Sequence, residues 1–67
     1  MTKTEAAEIV ANEVLVWARS NGATPTKSLV EARISELRVT ATPGTYLHTA
    51  SLTANWRTTL AVAKRWF

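Results

Sequence analysis

The sequence contains no cysteine, only two glycines, two prolines and one histidine, and no acidic residue after Glu36. Each shortage excludes something. Without cysteine, neither a disulfide framework nor a thiolate zinc site can reinforce the fold, so helix packing or association must stabilise a chain of 67 residues. The two glycines, Gly22 and Gly44, stand at separate breaks and leave no glycine-rich phosphate loop. The one histidine, His48, would have to meet a serine and an acid through tertiary contact to make a triad, and no nucleophile-elbow sequence accompanies it. A single histidine with scattered glutamates also lacks the spacing of a metal site. The expectation is a non-enzymatic protein with no metal, no cofactor and no small-molecule substrate. The longest strongly apolar run, Val14 to Ala18, falls far short of the roughly 18 residues a membrane span needs. Glu5 and Glu8, with no apolar stretch before them, argue against a secretory leader. The expectation is therefore a soluble, cytoplasmic protein without a membrane partner.

What is present is hydrophobic content of 46%, enough for an ordered globule rather than a disordered tail. The length allows a single small domain, residues 1–67. A chain this short buries only roughly 60% of the surface its unfolded form exposes. The net charge of +3 is unevenly placed. Up to Leu37, the bases Lys3, Arg19, Lys27 and Arg33 face the acids Glu5, Glu8, Glu13, Glu31 and Glu36. From Arg38 onward stand Arg38, Arg57, Lys64 and Arg65, with no acidic side chain to answer them.

Hydrophobic periodicity predicts an all-α fold, a small bundle of three main helices at about 3–20, 25–38 and 51–67. Thr2-Lys3-Thr4-Glu5 has the form of a capping box, and Gly22 suits the left-handed position that ends the first helix. Thr24-Pro25 is a start signal for the second helix, and Ser28-x-x-Glu31 offers a later one. The expected core is Val10, Val14, Trp17, Val30, Ile34, Leu37, Trp56 and Leu60. Ile9 and Val16, with Ala6 beside them, fall on the opposite side of the first helix and form a candidate interface for a protein partner or a homodimer. In the last helix Leu52, Trp56, Thr59, Leu60, Ala63, Trp66 and Phe67 form the expected core face. Arg57, Ala61, Lys64 and Arg65 form the outward one, with Ala54 a turn earlier.

Between the second and third predicted helices, residues 39–49 read either as a short hairpin about Pro43-Gly44 or as a loop with a helical turn. A Pro-Gly pair favours a type II turn, which suits a two-residue hairpin poorly, so the helical turn is preferred. The string Arg33-Ile34-Ser35-Glu36-Leu37-Arg38 is similar to the end of the recognition helix in some winged helix-turn-helix domains, a likeness confined to those six residues. It implies a wing at about 39–48 and DNA contacts from Lys27, Arg33 and Arg38. With or without that likeness, the acid-free C-terminal part makes Arg57, Lys64 and Arg65 the first candidates for nucleic-acid contact. The leading expectation is a small basic nucleic-acid-binding regulator. The alternative is a protein-interaction module, an adaptor or inhibitor acting through helix surfaces.

Overall fold

Four polar side chains start four helices in the same way. In the computed structural model, which describes residues 1–67, Thr2, Thr26, Thr45 and Asn55 each sit in extended backbone and accept a hydrogen bond from the amide three residues on. Each such cap satisfies one of the amides that a helix start leaves without an intrahelical partner. The helices are α1 (Lys3–Asn21), α2 (Lys27–Thr40), α3 (Tyr46–Thr53) and α4 (Trp56–Trp66), and there is no strand.

The first helix follows its sequence signals closely. Glu5 N–H donates to Thr2 Oγ1 at 3.0 Å, and Thr2 N–H donates back to Glu5 Oε1 at 3.3 Å, completing the capping box. Gly22 takes φ +63°, and its amide bonds to the Ala18 carbonyl. For α2 the cap is Thr26 rather than Thr24 or Ser28, and the helix runs on to Thr40. Val39 and Thr40 are therefore helical, and of the two readings of 39–49 the hairpin, with the wing, is absent, while helix does form there as the preferred reading has it.

The three-helix expectation is corrected to four at the same place. Thr45 caps a separate helix, α3, so the segment after Gly44 is not a loop. The expected single helix over 51–67 is broken at Ala54-Asn55, where two residues in extended conformation (ψ 145° and 157°) redirect the chain. The preference of Asn55 for capping overrides continuation: its side chain holds the Thr58 amide at 2.9 Å, and its carbonyl takes the Thr59 hydroxyl at 2.7 Å.

Helix α1 packs against all three other helices, and α2 packs against α3 and α4. One cluster joins Ala6, Val10 and Val14 of α1 to Val30, Ile34 and Leu37 of α2 and to Ala50 and Ala54. Ile9, Leu29, Leu47, Trp56 and Leu60 pack on its flanks. A second cluster of Ala7, Ala11, Leu15, Val62 and Ala63 seals α1 to α4. Seven of the fourteen buried apolar residues are alanines, the rest are valines, leucines and an isoleucine, and the three tryptophans stay at the rim. The narrowest extent of the backbone is 15 Å, enough for two layers of helices with axes about 8–10 Å apart. Few positions in so small a chain can be fully covered.

That geometry corrects several core assignments. Val10, Val14, Val30, Ile34 and Leu37 are buried as expected, and Trp56 and Leu60 are half-buried. Trp17 is 43% exposed, on a small open groove that it shares with Leu29, Ala32, Arg33 and Glu36 of α2. Leu52, Trp66 and Phe67 are exposed as well, whereas Val62 is buried in their stead. The break at Ala54-Asn55 takes Leu52 off α4, and the buried face of α4 centres on Thr59, Val62 and Ala63. Ala54 and Ala6, both placed on outer faces by the periodicity, are in the core. Ile9 and Val16 do not form one stripe: Ile9 leans on the core, while Val16 is 57% exposed.

Candidate nucleic-acid interface

Helix α4 turns Thr59, Val62 and Ala63 toward the interior and leaves Arg57, Ala61, Lys64 and Arg65 exposed on its other side. Spacings of four, seven and eight residues from Arg57 keep these four on one helical face. At 1.5 Å per residue, Arg57 and Arg65 stand about 12 Å apart along the axis, three to four base-pair steps of 3.4 Å along one strand. Ala61 between them adds almost no bulk, so a large partner can approach the helix closely. Lys64 and Arg65 lie in the last turn, where the helix dipole favours positive charge. Arg19 of α1 supports that end by donating to the Trp66 carbonyl at 3.3 Å.

The chain's ion pairs are Lys27–Glu31, Arg33–Glu13 and Arg33–Glu36, and none uses Arg57, Lys64 or Arg65. Neither α3 nor α4 carries an acid. The outward charge of α4 is thus not neutralised within the chain.

The other three candidate bases have different surroundings. Arg33 lies between two carboxylates, bonding Glu13 across the α1–α2 boundary at 3.3 Å and Glu36 within α2. Its side chain is mostly covered, and it joins two helices rather than facing solvent. Arg38 donates from Nε to the Ser51 carbonyl at 2.9 Å, tying α2 to the end of α3, where helical carbonyls lack partners. Its terminal guanidinium nitrogens remain available. Lys27 places Nζ 4.5 Å from the centre of the Trp56 ring and 3.8 Å from Glu31. Arg57 approaches the same indole, with Cζ 5.3 Å from the ring centre. Lys27, Arg38 and Arg57 are therefore brought together around Trp56, while Arg33 is not.

Beside that indole, between α2 and the start of α4, lies an open groove of about 340 Å³. Its lining includes Glu31, Ile34, Ser35, Arg38, Asn55 and Trp56. Ser35, Asn55 and Trp56 were not singled out as site residues by their types or spacing. The one available signal was Trp56 preceding Arg57, an aromatic next to a base at a helix start. A second open trough of about 460 Å³ runs over α1 at Glu8, Ile9, Asn12 and Glu13, walled by Tyr46 and Leu47 on α3 and by Trp66 on α4. Ile9 belongs to this trough, and Val16 lies one helical turn beyond its Asn12 edge.

His48 lies in α3, half-buried, and its carbonyl accepts the Ser51 hydroxyl at 2.6 Å. That bond holds the Ser51 side chain on the backbone of its own helix. No three of the histidine and carboxylate side chains converge as metal ligands would. No helix is long and apolar enough to cross a membrane. Comparison with protein-family models, curated proteins and solved structures finds no match to this chain.

Proposed function

We propose that the protein is a small non-enzymatic regulator that binds nucleic acid through phosphate contacts from α4. One observation carries this reading: Arg57, Lys64 and Arg65 share an exposed helix face, none of them is in an ion pair, and no acid lies on α3 or α4. Contacts with phosphates release condensed counterions, at a slope of about −0.9 in log K against log salt for each phosphate neutralised on duplex DNA. Three bases give a slope near −2.7, or about 40-fold weaker binding between 50 and 200 mM salt.

The experiment is a titration of labelled duplex and labelled single strand across that salt range. The triple variant Arg57→Gln, Lys64→Gln, Arg65→Gln should flatten the slope by about two to three units while keeping the helical circular dichroism of the parent. Absence of binding to either probe at low salt, or a triple variant indistinguishable from the parent, would remove the proposal.

A second reading has its own support in the trough over α1. Exposed Tyr46 and Trp66 flank half-buried Ile9 there, with Val16 exposed nearby. An apolar trough rimmed by the unpaired Glu8, with Glu13 engaged by Arg33, suits a protein segment carrying apolar side chains and a base, a second copy of this chain included. Sedimentation separates the cases. A concentration-dependent dimer abolished by Ile9→Glu with Val16→Lys supports self-association through this face, and a monomer at high concentration counts against it.

A further inference from the structure

We infer that the groove between α2 and α4 is a nucleotide subsite, which takes one phosphate and its base from a single strand running along α4. This deepens the proposed reading and rests on it for the path of the strand.

Four of the lining residues carry hydrogen-bond donors. Ser35 offers its hydroxyl, Asn55 its amide nitrogen, Trp56 its indole N–H and Arg38 its terminal guanidinium nitrogens. Asn55 is held in place because its side-chain oxygen is engaged by the Thr58 amide, and Arg38 because its Nε is fixed to the Ser51 carbonyl. Lys27 and Arg57 stand at the Trp56 wall, and with the charge of Lys27 offset by Glu31 the net excess there is that of Arg38 and Arg57. The one acid in the lining, Glu31, is paired with Lys27. A site made of donors and cations selects an acceptor-rich anion, and a phosphate ester is such an anion.

The indole adds the second requirement. Trp56 is half-buried, with Lys27 and Arg57 standing over its ring, so a base stacks on the indole by displacing one of these mobile side chains. The neighbouring guanidinium of Arg57 provides a second plane of the same kind. Duplex DNA cannot present an unstacked base here without being opened. The combination therefore favours single strands over duplexes. Arg57 belongs to both features, so the groove continues the α4 face at its N-terminal end rather than forming a separate patch.

The test follows the three tryptophan indole N–H signals by NMR, assigned through Trp→Phe variants, in the intact chain. Thymidine monophosphate and short oligothymidylate should shift the Trp56 signal saturably and leave those of Trp17 and Trp66 in place. Ser35→Glu puts a carboxylate into the groove from an exposed helix position and should weaken both ligands at least about tenfold. Lys27→Gln should weaken them less. Lys64→Gln with Arg65→Gln should leave the mononucleotide unaffected while weakening the oligonucleotide. An unmoved Trp56 signal at millimolar mononucleotide, or a Ser35→Glu variant that binds like the parent, overturns the subsite. Inorganic phosphate causing the same shift at the same concentration also overturns it, because the indole would then contribute nothing. If oligothymidylate binds through Lys64 and Arg65 with Trp56 unmoved, the α4 interface stands and the groove falls. If the mononucleotide binds and no polymer does, the groove stands and the α4 interface falls.

Discussion

Replacing Ala11 by leucine tests the central packing claim, that α1 and α4 meet through small side chains. Ala11 is fully buried and lies in the cluster with Ala7, Leu15, Val62 and Ala63. None of the molecule's grooves borders these residues, so the added isobutyl group has no void to enter. Overpacking of this kind costs typically about 1–3 kcal/mol through forced rotamers and backbone shifts. At roughly 0.05–0.15 kcal/mol per residue, a chain of this length has about 3–10 kcal/mol of total stability, so the loss is a large fraction of it. With a shift of about 4–8 °C per kcal/mol for a domain of this size, Tm should fall by roughly 4–24 °C. The assay is thermal unfolding followed by circular dichroism at 222 nm, with Ala61→Leu as the partner experiment. Ala61 is on the exposed side of α4, and its substitution should change stability by no more than about 0.5 kcal/mol. Equal melting of the two variants would mean that α4 does not lie on α1 in this register.

Other substitutions check individual features. Trp17→Ala should cost about 1–2 kcal/mol by chemical denaturation, less than a fully buried tryptophan would, since 43% of it is exposed; a cost above about 4 kcal/mol would return it to the core. Gly22→Ala should destabilise by roughly 1–2 kcal/mol from left-handed backbone alone, because no atom lies close enough for the new methyl to clash, and Gly22→Asn should cost less. Asn55→Ala removes the cap of α4 and should cost about 0.5–2 kcal/mol, with helicity loss confined by amide hydrogen exchange to the first turn of that helix. Arg33→Gln should lower stability while leaving the salt slope of nucleic-acid binding unchanged; a flattened slope would put Arg33 on the phosphates and not between Glu13 and Glu36.

The helices themselves were legible wherever the signal is local. Thr2 and Glu5 stand three residues apart, and Gly22 follows the last residue of a periodic run, so both ends of α1 follow from chemistry within one helical turn. The same reasoning missed the break before α4, because Asn55 lies inside an apolar pattern that continues on either side of it. Leu52 and Trp56, four residues apart, read as one face only if the chain stays helical between them. A capping side chain and two extended residues separate them instead. Trp17 fails for a different reason. Its position on the apolar arc of α1 is real, but the α2 residues beside it, Leu29, Ala32, Arg33 and Glu36, leave an open groove and 43% of the indole exposed. Periodicity marks which side of a helix faces inward and carries no information on how deep the interior is.

The site divides along a similar line. The exposed face of α4 follows from spacing within one helix, and the absence of acids after Glu36 leaves its bases without local partners. Arg33 and Arg38 could not be sorted in this way. Glu13 lies twenty positions from Arg33, and the Ser51 carbonyl thirteen from Arg38, so their engagement depends on how α1, α2 and α3 are docked. The groove at Trp56 has the same character, since α2 supplies Lys27, Ser35 and Arg38 and the start of α4 supplies Asn55 and Trp56. The cap that broke the expected last helix is also what places Trp56 at a helix start, beside α2, with Arg57 next to it. Had the helix continued through Ala54 and Asn55, Trp56 would be a mid-helix residue, and no indole would stand at the groove beside Lys27 and Arg57. The capping of α4 by Asn55 thus connects the fold to the candidate site: the residue that hid the fourth helix from a periodicity argument is the one that builds the groove.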